Sequence, residues 1–113
     1  MEFQFATEGE RLVASPAGNL DADGAVRFTA AVQDQLGAAK SVTVDLDGLD
    51  HISLGGVRAF LQLGRALKGT ERNLEFVRGG HAVRHALEQA GFDDLFAFTP
   101  PLHSHRGHHD ETP

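Results

Sequence analysis

The stretch HISLGGVRAFLQL, His51–Leu63, sets a hydroxyl, Ser53, and a glycine pair, Gly55 and Gly56, between an apolar strand pattern and a helix pattern. Bare backbone N–H groups at a helix start favour anions, and glycine lets a ligand approach the backbone closely. A phosphate-cradling loop would need more glycines and a lysine, which are absent. The stretch is therefore either a binding surface, Ser53–Arg58, or a simple turn. Arg58 falls in what the pattern reads as the first helical turn. A cation there opposes the helix dipole at a cost of about 0.3–1 kcal/mol. It reads as a contact for an acidic partner or as an exposed arginine.

Other groups are weaker candidates. Asn19, Asp21 and Asp23 form an acidic turn in which Asp21 or Asp23 suits an N-cap, a carboxylate accepting from free backbone N–H groups. Asp45, Asp47 and Asp50 lack the spacing of a calcium loop and read as solvated positions. His81 and His85 share a helix face at i,i+4, but the glutamate of a zinc-protease helix is missing, so they read as an exposed polar face. His103, His105, His108 and His109 require no ordered site. With no cysteine, thiol catalysis and zinc–thiolate sites are excluded. No Ser–His–Asp set or cofactor fingerprint stands in a credible context. We expect no enzyme activity, no metal and no cofactor.

The elements that must carry these residues follow from periodicity. Phe3 and Phe5 alternate with polar neighbours, and Arg11–Ser15 continues as a second strand across a short hairpin turn at Gly9. PAGNLDADG is turn-rich. Ala25, Phe28, Val32 and Leu36 make the apolar face of a helix that stops at Gly37. Ser41–Leu46 is β-branched and alternating, a central strand. Val57 to Leu67 forms a second amphipathic helix ending near Gly69, Asn73–Arg78 another strand, and His81–Phe92 a third helix stopped by Gly91. Asp93–Phe98 is a helical turn or a last extended piece. Strands alternating with helices predict an α/β sheet with later strands parallel.

Length and composition set the frame. A chain of 113 residues suits one domain. Its net charge of −6 repels phosphate backbones, so no nucleic-acid partner is expected. The eight Phe, with no Trp or Tyr, suit a core better than a base-stacking surface. No apolar run approaches the ~20 residues of a membrane span, and the acidic N-terminus lacks a signal-peptide pattern. The expectation is a cytoplasmic protein. Residues 1–99 read as the domain and 100–113 as a disordered, His-rich tail.

Three segments, in order, resemble the STAS domain family. Gly18–Asp21 resembles its G-x-L-D turn before the first helix. Ser41–Ile52 resembles its central apolar strand with Asp-Leu and a following Ile. Ala82–Phe96 resembles its closing helix, V-x-x-x-L-x-x-x-G-hydrophobic, then Asp-x-Phe. The resemblance implies a mixed sheet of about four to five strands with crossover helices packed mainly on one face. It also implies partner binding, as in bacterial anti-sigma factor antagonists that dock on a serine-kinase anti-sigma factor and are released by phosphorylation. With Ile52 and Gly56 as anchors, Gly55 takes the phosphoacceptor position and has no hydroxyl. Ser53, two positions away, is the nearest alternative phosphosite. The resemblance thus implies a contact face of Asn19, Asp21, Asp23, Ser53, Leu54, Gly55, Gly56 and Arg58. The alternatives are a regulatory subunit of an anion or lipid transporter, meeting a membrane only through that transporter, and a sensor of nucleotides or anions.

Overall fold

The computed structural model describes residues 2–102. The elements are β1 (Glu2–Glu8), β2 (Arg11–Leu20), α1 (Ala22–Gln35), β3 (Ser41–Asp45), β4 (Leu49–Ile52), α2 (Leu54–Gly69), β5 (Asn73–Val77), α3 (His81–Gln89), a 3-10 turn (Phe92–Asp94) and β6 (Ala97–Thr99). The main sheet runs β1-β2-β3-β5-β6, with β4 pairing β2 off this path. β1 and β2 form the expected antiparallel hairpin, and every later pairing is parallel.

Two strands depart from the sequence expectation. β2 runs on through PAGNL because it changes partner. It pairs with β3 as far as Ala14↔Val44, then with β4 from Gly18↔Leu49. The register shifts between Gly18 and Asn19, where Gly18 has φ 97°. Such a kink re-aims a strand. β4 escapes periodicity because its two central residues, Asp50 and His51, are both exposed and do not alternate. The sheet is correspondingly larger than the four to five strands expected. β6 and the 3-10 turn divide the last segment, so each of the two readings left open for it holds over part of it.

All the helical stripes cover one face of the sheet. Leu12, Ala14, Val42, Val44, Leu74 and Phe76 are buried there beneath Phe28 and Val32 of α1, Phe60, Leu63 and Leu67 of α2, and Val83 and Leu87 of α3. Phenylalanine rings run through this layer: Phe3–Phe28 at 5.3 Å between centroids, Phe28–Phe60 at 5.8 Å, Phe60–Phe76 at 5.4 Å and Phe76–Phe98 at 5.0 Å. Each fully buried Phe stabilises the fold by about 1.5–3 kcal/mol. Every Phe lies in the core or against it, as the composition suggests.

The opposite face is polar and partly open. Its buried Thr43 donates to Glu75 at 2.7 Å, and Arg11 reaches the same Glu75 oxygen at 3.4 Å. Leu102 is also buried, so packing continues past residue 99, where the domain was expected to end. The remainder of the expected tail, 103–113, lies outside the described residues. Among the described residues, no helix is long and apolar enough to cross a membrane.

Candidate functional site: a face built from two helix starts

α1 and α2 follow β2 and β4, which are parallel, so both helices begin at the same end of the sheet. Each start is closed by its own side chain. Asp21 Oδ1 accepts from the Gly24 N–H at 2.8 Å, choosing Asp21 over Asp23 as the cap. Ser53 Oγ accepts from the Gly56 N–H at 3.1 Å. The Ser53 N–H donates to the Leu20 carbonyl at 2.9 Å, tying the start of α2 to the end of β2.

The glycine pair closes the remaining gap. A Cβ on Gly55 would stand 2.6 Å from Ala22 Cβ and 2.9 Å from Ala22 Cα. One on Gly56 would stand 2.8 Å from both Ile52 Cγ1 and the Leu20 carbonyl oxygen. Real side chains do not fit at such distances, so Gly55 serves close packing between the first turns of α1 and α2, while Gly56 seats the start of α2 on the ends of β2 and β4. The Asn19–Asp23 turn and the Ser53–Arg58 turn therefore meet in one surface.

Within that surface the residues differ in access. Asn19, Asp21, Asp23, Leu54 and Arg58 are exposed; Ser53 and Gly55 are half-buried; Gly56 is buried and contributes shape alone. Because α2 starts at Leu54, Arg58 opens its second turn and not its first, which weakens its conflict with the helix dipole. Asp23 pairs with Arg27 at 3.5 Å, an exposed i,i+4 pair of little energetic weight.

The sequence reading missed Val26. It is 68% exposed, and Leu54 is 66% exposed. Val26 lies one helical turn from Ala22, and Leu54 adjoins Gly55, so both flank the contact between the helices. The available signal was that Val26 falls off the Ala25–Phe28–Val32 stripe, an apolar residue on a polar face.

Beside this face, Asp45 is not the solvated residue its alternation suggested. It sits at the end of β3 and grips Arg78 through two bonds, Nη2 to Oδ2 at 2.5 Å and Nε to Oδ1 at 3.2 Å. The Asp47 N–H donates to Asp45 Oδ1 at 3.0 Å. Burial pushes the Asp45 carboxyl up, but the Arg78 hydrogen bond, the Asp47 N–H and the Arg78 charge together hold it below its usual value. His81 and His85 do share a face of α3, with rings nearly parallel and centroids 5.9 Å apart. Among the described residues, no group of three or more His, Cys, Asp or Glu gathers as a metal site.

A mixed sheet with three helices on one face, entered by parallel crossovers, defines an α/β domain of the type the sequence resembles. The chain belongs to the STAS family: residues 3–99 match the family described as "Mlab, STAS domain". No curated protein matches the sequence. Among solved structures, the fold is similar to an anti-sigma factor antagonist from Mycobacterium paratuberculosis, with a TM-score of 0.77 and 19% identity over 86% of this chain and 83% of that one. It is equally similar to a putative anti-sigma factor antagonist from Thermotoga maritima, with a TM-score of 0.77 and 14% identity over 85% of this chain and 84% of that one. It also matches part of the murine anion transporter Slc26a9, with a TM-score of 0.69 and 14% identity over 79% of this chain. The chain spans 15% of that transporter and 18% of Mglu, a further structure it matches.

Proposed function

We propose that this STAS domain is a non-catalytic docking module. Its partner is a protein of the anti-sigma serine-kinase kind, seated on the face made by Asn19, Asp21, Asp23, Ser53, Leu54, Gly55, Gly56 and Arg58. The observation that carries this reading is the placing of exposed Leu54 and Val26 around the tight Ala22–Gly55 contact. Burying two such side chains against a partner supplies an apolar centre, and Asp21, Asp23 and Arg58 supply a polar rim. Likeness to antagonist structures supports the fold on which this face is built.

With Gly55 at the acceptor position, phosphorylation there does not release the partner. Ser53 is a poor substitute, since its hydroxyl is engaged by the Gly56 N–H and is half-buried. The test is titration calorimetry with a cognate anti-sigma kinase, comparing the parent with a Val26→Asp/Leu54→Asp variant. Binding should weaken at least about tenfold while thermal stability holds. Equal affinity would remove this face from the interface. Incubation with the kinase and Mg-ATP should leave residues 53–56 free of phosphate; phosphate mapped to Ser53 overturns the non-switching part. The second reading, a transporter-associated subunit in the cytoplasm, draws on the Slc26a9 likeness. Co-purification with a membrane transporter, lost in the same double variant, would favour it.

A further inference from the structure

We propose that the end of α2 remote from the candidate docking face carries a second site, a pocket that binds a medium-chain acyl carboxylate. The pocket encloses about 430 Å³, within the span of about 300–1,000 Å³ usual for small-ligand sites. It opens where β2, β3 and β5 begin, at Arg11, Ser41 and Asn73, beside the last turns of α2. A helix rises about 1.5 Å per residue, so roughly 21 Å of α2 separates Lys68 in this pocket from Leu54 in the docking face.

Two of the pocket's cations lack a counter-ion. Arg11 is neutralised by Glu8 at 2.9 Å and Glu75 at 3.4 Å. Lys68 and Arg72 form no ion pair among the described residues. Arg72 is nonetheless fixed in place. Its Nε donates to the Ala39 carbonyl at 2.7 Å, Nη1 to Thr70 Oγ1 at 2.9 Å and Nη2 to the Gly37 carbonyl at 3.3 Å. All three acceptors are neutral, and each terminal nitrogen keeps a second N–H. A held guanidinium with donors to spare is preorganised for a carboxylate. Lys68 adds an ammonium on the last turn of α2. Together the two outweigh the partial charge of about −0.5 at that helix end. Glu75 also lines the pocket, its Oε2 taken by the Thr43 hydroxyl at 2.7 Å. Its carboxylate favours a monoanion over a phosphate dianion.

The opposite wall is apolar. Three large hydrophobic side chains stand exposed among the described residues: Val26 and Leu54 belong to the docking face, and Leu95, 56% exposed, lines this pocket. Phe96 adjoins it. A Cβ on Gly64 would stand 2.2 Å from Phe96 Cζ, so glycine at this point of α2 admits the ring into the wall. An acyl chain laid on Leu95 and Phe96 removes them from water while its carboxylate meets Lys68 and Arg72. An inorganic anion would answer the charge and leave Leu95 in water.

The test is titration calorimetry of the full chain with sodium octanoate, sodium hexanoate and sodium phosphate. The expected result is one octanoate per chain. Each buried methylene contributes a factor of about four, so hexanoate should bind roughly sixteenfold more weakly, and phosphate not measurably. Lys68→Glu and Leu95→Asp alter exposed side chains and should keep the parent's melting temperature. Each should weaken octanoate at least about tenfold. Leu54→Asp, in the docking face, should leave octanoate binding unchanged. Four results overturn the proposal: no octanoate binding by the parent, hexanoate or phosphate binding as tightly as octanoate, unchanged affinity in Lys68→Glu or Leu95→Asp, or a loss in Leu54→Asp, which would place the acyl chain on the docking face.

Discussion

The chain carries the dipeptide Gly-Gly twice, each time just before or within the start of a helix, and uses it in two different ways. At Gly55–Gly56 the helix has already begun, and the missing side chains admit Ala22, Ile52 and Leu20 at under 3 Å from where a Cβ would sit. At Gly79–Gly80 the pair turns the chain. Gly79 has φ +100° and abuts Leu46, while nothing lies within 4 Å of a Cβ on Gly80. The first turn is held from within, by packing and by the Ser53 cap. The second is held from outside, by Asp45 on Arg78 and by Arg84 on the Arg78 carbonyl. Gly80 caps α3 with no side chain at all. A turn held by contact tolerates pH and resists substitution. A turn held by ion pairs answers to pH, and here it tolerates substitution at Gly80 but not at Gly79.

The largest expected effect strikes the packed turn. Gly55→Ser and Gly56→Ala each force atoms into occupied space, and for Gly55 the obstacle is the backbone of α1, which cannot rotate aside. Overpacking of this kind costs about 1–3 kcal/mol, more than the ~1 kcal/mol of helix propensity gained. Urea denaturation should show a lower midpoint with an unchanged slope. A neutral outcome for Gly55→Ser would mean that α1 and α2 are not in tight contact, and one for Gly56→Ala that α2 does not press on the ends of β2 and β4; both together would undo the contrast. Gly55→Ser carries a further lesson: restoring a hydroxyl at the acceptor position requires α1 to move first.

Next in size is the cap. Ser53→Ala removes the acceptor for the Gly56 N–H and should cost about 1 kcal/mol. Since a hydroxyl does not titrate in the working range, that cost should be the same at pH 4 and pH 7 by denaturation. A pH-dependent cost would show that Ser53 answers to a neighbouring charge and not to the helix alone.

These two turns also mark the limit of what periodicity shows. Stripes such as Phe28–Val32 and Phe60–Leu63–Leu67 place the helices because burial is the dominant force and leaves a periodic trace. The cap at Asp21 and the stop at Gly91 (φ 81°) were legible for a similar reason, since each is a local rule tied to one residue type. β4 was not legible, because Asp50 and His51 hide its alternation and its pairing with β2 is a long-range event. Nor was the meaning of either Gly-Gly pair. Whether a glycine serves a turn or a neighbour depends on what stands opposite, and Ala22 is thirty-three residues away from Gly55 in the chain. Of the candidate face, the residue types were readable and the juxtaposition of the two turns came through resemblance. Val26 needed the structure.

The ion-paired turn should show its dependence in acid. Asp45 is held below its usual pKa when folded, so its contribution is complete above the unfolded value of about 3.9 and vanishes as pH falls through the folded value. Asp45→Asn should therefore be less stable than the parent at pH 7, with the gap closing below about pH 4. Parallel denaturation curves at pH 7 and pH 3 measure it. A gap that persists unchanged in acid would mean that the Asp45 contact acts as a neutral hydrogen bond.

The smallest effect is a gain. Gly80 begins α3 in extended conformation, φ −76° and ψ 169°, which is the backbone geometry of a capped start, yet it offers no acceptor. Open space surrounds its Cβ position. Gly80→Ser supplies the hydroxyl that Ser53 supplies to α2 and should add a few tenths of a kcal/mol, ~0.3. Thermal unfolding in triplicate resolves a shift of this size, roughly 1–2 °C for a domain of this length. Gly80→Ala, lacking the acceptor, should not show it. If the serine variant gains nothing over the alanine variant, the free N–H groups of α3 already have a partner, and the second turn is less dependent on its ion pairs than its geometry implies.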